Sequence, residues 1–419
     1  ANLDKLDSLV KAKPKALNAA VESLYRRVQA FEQLEHDLAI IPTAASASGE
    51  AVESRSGGEW LSPAALARTG GEISSSGAAI VRAYIALRKT YVENDRDGFA
   101  QAARELVEAN HAAAHQLGVS MKRLKVDLIN TRLEPFKLSC APYLIAAVLY
   151  VAVVSVRAGR LAIGGLGLLV LGFAAHALGL VFRSILVGRA PMANMYESLV
   201  FAAVGAVALA IILDRVYRNP LIGLSGALIG FVCMVIAMKM PVSQSRINPL
   251  VPALQSSWLT YHVTTIMLSY SAFALSFLVS CLYLLRRAVG RRSILQSDLS
   301  DSSAPSDLSD LSDLSDGSDL ALLDFYTYRI IAVGFPLLTI GIFTGAVWAA
   351  TAWGRPWGFD PKETWSAITW LVYAVFLHTR FLGGWKGDRS AALAVLGFVS
   401  VLFTYLGVNY LLPGLHSYA

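Results

Sequence analysis

Beyond Pro135 the apolar residues gather into long runs broken by short stretches of Arg, Lys, Asn, Pro and Gly; before it they recur at helical spacing among charges. Eight runs, over 139–156, 161–182, 198–213, 220–238, 259–285, 326–350, 365–382 and 391–412, approach the ~20 residues an α-helix needs to cross a ~30 Å hydrocarbon core. The third is short and borrows flanking residues. Backbone in lipid must satisfy its own hydrogen bonds, so the pattern predicts an all-α polytopic membrane protein of about eight transmembrane helices over 138–419. Residues 1–137 predict a separate helical domain, with heptad-like spacing in Leu17, Val21, Leu24, Val28, Phe31 and Leu34 and again in Phe99, Ala103, Leu106, Val107, Asn110 and Leu117. A Ser/Ala/Gly-rich loop over 43–58 separates the two, and 124–136 leads back to the membrane.

One stretch follows neither pattern. Residues 296–319 repeat Asp-Leu-Ser, with seven aspartates and no aromatic side chain, and such a composition predicts a disordered acidic linker between the fifth and sixth spans. Its single glycine, Gly317, and lack of fixed ligand positions argue against a calcium loop.

Composition agrees with the membrane class: 55% of residues are hydrophobic and 16% charged, with mean hydropathy +0.51. The net charge of +6 does not predict a nucleic-acid partner, because 1–137 nearly balances at 18 Lys/Arg against 17 Asp/Glu and the excess lies in the membrane part. Assigning alternate connections to opposite sides gives eleven Arg/Lys on one, including Arg286, Arg287, Arg291, Arg292 and Arg380, and six on the other. The positive-inside rule makes the first side cytoplasmic. The N-terminal domain, the tryptophan-bearing connection after the sixth span and the C-terminus are therefore expected outside, in a bacterial inner membrane or a thylakoid-like one. An outward N-terminal domain requires an export signal or an earlier span, expected upstream of Ala1.

Cys140, Cys233 and Cys281 stand singly in apolar runs and read as small core hydrophobes, not as a thiol–disulfide pair. His36, His111 and His115 lie in the N-terminal domain; the last two form an i, i+4 pair with no further ligand beside it, so they read as surface histidines.

The densest chemistry is one window. Trp348, Trp353, Trp357, Trp365 and Trp370, five of the eight tryptophans, fall within 23 residues, around Trp353-Gly-Arg-Pro-Trp357-Gly-Phe359-Asp360-Pro-Lys362-Glu363-Thr-Trp365. Tryptophans collect at membrane interfaces for their amphipathic rings alone, but a belt needs no fixed order around Gly-Arg-Pro and Asp-Pro-Lys-Glu. Flat aromatic surfaces, an acid, exposed-backbone glycines and the cations Arg355 and Lys362 suit a large planar ligand with carboxylate edges, of which heme is one. His262 and His416 fall at the outward ends of the fifth and eighth spans, on the same face as this window. His378 lies about thirteen residues into the seventh span and His176 in the middle of the second. An ionisable residue at such depth marks a functional site by default; snorkelling for His378 and hydrogen-bonded packing for His176 are the other readings.

The tryptophan string resembles the WWD signature, WGxxWxWDPKExW, of the heme-handling proteins that assemble c-type cytochromes, with Phe359 where the signature has a third tryptophan. Pro191-Met-Ala-Asn194-Met-Tyr196-Glu197-Ser-Leu199 also resembles a family stretch, in which Asn194 caps the third helix and Glu197 lies in its first turn. The likeness to the CcsA/ResC type of cytochrome c biogenesis proteins runs over about 130–419. It implies that heme b is carried to the outer face and presented to an apocytochrome c bearing C-x-x-C-H. His262 and His416 would be axial iron ligands, and Trp353, Trp357, Phe359, Asp360, Trp365 and Arg355 the cradle. His378 would ligate a second heme within the membrane, with His176 or a partner opposite. The family also implies a membrane partner of the CcsB/ResB type, the pair forming the synthase that makes the thioethers. A b-type electron-transfer protein, a transporter of another solute and a partner-recruiting scaffold remain the alternatives.

Overall fold

The computed structural model describes residues 41–42, 60–61, 75–116, 120–156, 159–247, 254–300, 308–412 and 414. The chain divides into two compact units, Ala1–Leu124 and Lys125–Ala419. In the first, Ile41–Pro42 pairs antiparallel with Trp60–Leu61, and α1 (Ser75–Val92) and α2 (Arg96–Gln116) form a hairpin. Asn94 turns the chain at φ +54°, and Asp95 accepts from Gly98 N at 3.0 Å to start α2. Ile80 and Ala113 are buried between the two helices with Leu106 and Ala109 against them. Phe99 and Val107, from the predicted heptad face, are exposed, as are His111 and His115. The earlier heptad, the 43–58 loop and His36 lie outside the described residues.

The second unit is a helical membrane bundle. After α3 (Met121–Leu133) come α4 (Pro135–Val156), α5 (Gly159–Val187), α6 (Met195–Tyr217) and α7 (Pro220–Lys239). The one-turn α8 (Val242–Ser245) precedes α9 (Ser257–Ser300), α10 (Leu308–Trp353), α11 (Pro361–Phe381) and α12 (Asp388–Leu402), which runs through a π turn, Phe403–Gly407, into α13 (Val408–Leu411). Seven helical segments among the described residues are long and apolar enough to cross a membrane, making this an integral membrane protein. The predicted seventh span, over 365–382, folds as α11 and falls short of that apolarity: its Thr, Trp and Tyr residues and the terminal His378 and Arg380 lower its hydropathy. It still buries Thr369, Tyr373 and Phe376 in the bundle.

The predicted disordered linker over 296–319 lies partly outside the described residues. Helix α9 continues to Ser300 and α10 begins at Leu308, with 301–307 outside the described residues. These helices of 44 and 46 residues reach roughly 65 Å at ~1.5 Å per residue, past any ~30 Å core. They pack against each other, and Arg286 donates to Asp319 Oδ2 at 2.8 Å.

Packing explains which helices meet. Tyr143 and Tyr150, two turns apart on α4, are fully buried. A Cβ at Gly172 of α5 or Gly230 of α7 would overlap the Tyr143 ring, and one at Gly223 of α7 would overlap Tyr150. The glycines thus form the grooves that admit the rings, as small residues do where membrane helices approach closely. Tyr150 O–H donates to buried Asp214 on α6 at 2.7 Å. One core gathers α4–α7 with α9 and α10, and a second gathers α9–α12. At one end Arg380 and Gly387 N both donate to Asp324 Oδ1, at 2.8 and 3.0 Å. The opposite end, where α6, α9 and α11 begin and α10 and α13 stop, carries the site.

Candidate functional site

Local chemistry builds the tryptophan loop. Helix α10 ends at Trp353, and Gly354 turns the chain at φ +72°. The Arg355 guanidinium lies where a Cβ of Gly358 would stand, so a side chain there would displace the arginine. Phe359 takes φ +55°, an uncommon conformation for a bulky residue, and is 81% exposed. Asp360 then caps α11: its carboxylate accepts from Lys362 N at 3.0 Å, while Glu363 Oε2 accepts from Asp360 N at 3.1 Å and Gly358 N at 2.7 Å. With Pro361 in the first turn this is a capping box, and it accounts for the Asp-Pro-Lys-Glu order as a way to fix the loop on its helix. Trp365 packs on Phe403 with ring centroids 4.1 Å apart.

A second clamp shapes the mouth of α6. Asn194 accepts from Glu197 N at 2.8 Å, as its cap role predicts. Glu197, with no exposed side-chain surface, accepts from Arg183 Nε at 3.0 Å, Arg189 Nη1 at 2.9 Å and Ala193 N at 2.9 Å. The segment bearing Met192, Ala193 and Met195 is thereby tied to α5. The third element is the π turn of α12. Thr404 hydrogen-bonds Thr369 of α11 at 3.0 Å, and Tyr405 O–H donates to Met195 O at 2.9 Å. Wide turns of this kind are frequent at functional sites.

These elements enclose a cavity of ≈ 190 Å³ walled by His262, Trp348, Trp357, Lys362, Tyr405 and Asn409, among others. His262, in the second turn of α9, lies with its Nδ1 2.7 Å from Gly341 O. A carbonyl only accepts, so Nδ1 carries the proton and the neutral ring's lone pair is on Nε2. The ring is within 8° of parallel to buried Trp348, centroids 6.2 Å apart, and Trp348 meets Trp353 edge-on at 4.7 Å. Lys362, in the first turn of α11 ahead of its apolar stretch, donates to Asn409 Oδ1 at 2.9 Å. Burial pushes its ammonium down to about 8, against the opposing pull of Asp360.

Of the residues singled out in the sequence, Asn194, His262, Trp348, Trp357, Lys362 and Glu363 are in the cavity wall, and Trp353 reaches it through Trp348. Arg355, Phe359, Asp360 and Trp365 belong to the loop and its cap. His416 lies outside the described residues. His378 is exposed near the far end of α11, roughly 24 Å along the helix from Lys362 at ~1.5 Å per residue. His176 is fully buried, with Nε2 3.1 Å from Val200 O and Nδ1 3.2 Å from Tyr143 Oη; Nε2–H donates to the carbonyl and Nδ1 accepts from the tyrosine. Sequence reasoning missed Met192, Met195, Tyr270 and Tyr405 in the wall. The only local signal was the proximity of the first two to Asn194.

Comparison with known proteins places this geometry in a family. A cytochrome c heme lyase CcmF of known structure aligns over 65% of this chain and 45% of its own, at 17% identity and a TM-score of 0.47. Proteins described as cytochrome c biogenesis protein CcsA are far more similar in sequence. That of Guillardia theta is 43% identical over 55% of this chain and 77% of its own length, and that of Synechococcus elongatus is 40% identical over 62% and 88%. The family model described as cytochrome C assembly protein matches residues 192–416, which span the cavity and the tryptophan loop. The chain belongs to the cytochrome c assembly protein family.

Proposed function

We propose that this chain serves cytochrome c maturation by holding heme b, as substrate, at the cavity and presenting it to an apocytochrome c. The observation that carries the reading is the make-up of the cavity wall: His262, its Nδ1 held by the Gly341 carbonyl, stands with Trp348, Trp357 and Lys362, an imidazole beside flat aromatic faces and a cation. The enclosed volume is smaller than a tetrapyrrole, so the rest of the ligand lies over the loop where Phe359 is exposed. Lys362 and Arg355 supply positive charge for the propionates, and His416 supplies the second axial ligand. The capping acids Asp360 and Glu363 set the loop and do not bind iron.

Two imidazoles hold iron firmly yet exchangeably, so the histidine of a C-x-x-C-H segment can displace one. Each cysteine S–H then adds across a heme vinyl group, sulfur to the inner carbon and hydrogen to the terminal one. The site faces outward by the distribution of Arg and Lys. The exposure of His378 supports a second heme station completed by a partner subunit of the CcsB type, and the two hydrogen bonds of His176 support a packing role.

Co-expression with a reporter apocytochrome and a CcsB-type partner, in cells lacking their own assembly proteins, tests the reading. Covalent heme on the reporter is expected with the wild-type chain and lost with Trp357→Ala or His262→Ala. Full maturation with both variants would overturn it.

A further inference from the structure

Two helices that meet 79 residues apart in sequence build a receptacle for one side chain. We infer that Gly341, Gly345 and Trp348 of α10 form a socket that fixes the tautomer and ring plane of His262, and so act as positioning residues for heme ligation. The inference rests on the proposed role of His262 as an iron ligand.

Three contacts carry it, and each has a separate cause. The Gly341 carbonyl takes the Nδ1 proton at 2.7 Å. A Cβ at Gly345 would stand 2.7 Å from both Nδ1 and Cε1 of the imidazole, closer than real Cβ atoms approach, so the ring occupies the space that a side chain would fill. Trp348 lies within 8° of parallel to the imidazole and is 2% exposed, so it cannot swing away to solvent. Residues 341, 345 and 348 are spaced i, i+4, i+7 and share one face of α10. A Cβ at Gly341 would meet Ile266 Cδ1 at 2.6 Å, one turn along α9 from His262, so the first glycine sets the helix approach that the second exploits.

Close packing alone would ask only for small residues. It would not align a ring with a carbonyl and a second ring. An acceptor on the far nitrogen selects the donating tautomer, raises the basicity of the ligating nitrogen and removes ring rotation that binding would otherwise have to restrict.

Replacing His262 with glycine leaves the socket empty for a free imidazole. Purified wild-type, His262→Gly and His262→Gly/Gly345→Ala chains, each expressed with ample heme, are read by their reduced and oxidised spectra. They are titrated with imidazole, 4-methylimidazole or 1-methylimidazole. The last matches the second in bulk but, once bound through its bare nitrogen, has no N–H for Gly341. The low-spin spectrum should be lost in His262→Gly and restored by imidazole and 4-methylimidazole at about tenfold lower concentration than by 1-methylimidazole, the effect of one hydrogen bond. Gly345→Ala should abolish the restoration. Restoration itself shows that the variant is folded. An unchanged spectrum in His262→Gly would remove His262 as a ligand and the inference with it. Equal restoration by all three, or by none after the spectrum is lost, would overturn the socket and leave the ligand role standing.

Discussion

Lys362 Nζ donates to Asn409 Oδ1 across 2.9 Å, joining the first turn of α11 to the helical turn that follows the π turn. The contact ties the tryptophan loop to the C-terminal segment through one buried cation. Because burial holds that ammonium near 8, its charge changes within a range that experiment reaches. Retention of heme, a dicarboxylate, should weaken as pH rises from 7 to 9.5, and Lys362→Met should flatten the profile. The unliganded protein has the opposite sign: the folded value lies below the ordinary 10.5, so the charged side chain costs stability below about pH 8. That cost fades as pH rises toward 10.5, and Lys362→Met should gain least there. Heme release and thermal melts across pH check both signs.

His176 uses both ring nitrogens within the protein, toward Tyr143 and Val200. His176→Ala should therefore lower the melting temperature, since it leaves the buried Tyr143 hydroxyl without its acceptor, and leave the heme spectrum unchanged. Loss of a heme band in a folded His176→Ala protein would assign the residue to the inner site.

Glu197 is the single carboxylate between two arginines, with side-chain exposures of 11% for Arg183 and 22% for Arg189. Removing one member of a buried ion cluster is far more damaging than the net worth of the cluster, about 3–5 kcal/mol. Glu197→Gln should reduce folded yield and melting temperature, and should loosen heme by freeing the segment that carries Met192 and Met195.

Gly223→Ala forces a methyl into the Tyr150 ring and should destabilise by about 1–3 kcal/mol through overpacking. Gly167→Ala, where a Cβ meets nothing within 4 Å, should be neutral or slightly stabilising. Thermal unfolding in detergent separates the two.

The sequence made visible what depends on neighbours along the chain. Long apolar runs announced the helices, and Asp-Pro-Lys-Glu could be read as an ordered motif because a capping box is built from residues three apart. Its Asp360 was expected to touch the ligand, whereas its hydrogen bonds also explain it as a helix cap. Partners that arrive from distant helices left no such trace. Nothing around His176 in sequence announces Tyr143 or Val200, and nothing around His262 announces Gly341 or Trp348. Composition also overrated the apolarity of α11, whose polar face is buried against Thr404 and other helices instead of facing lipid.

The central claim is that the cavity holds heme between histidines. The most direct measurement is the reduced and oxidised absorption spectrum of the purified chain, expressed with ample heme, beside that of the His262→Ala/His416→Ala variant. A low-spin bis-histidine spectrum in the wild type, lost or weakened in the variant, is the predicted result. A wild type that carries no heme, or a variant that carries it unchanged, would contradict the account.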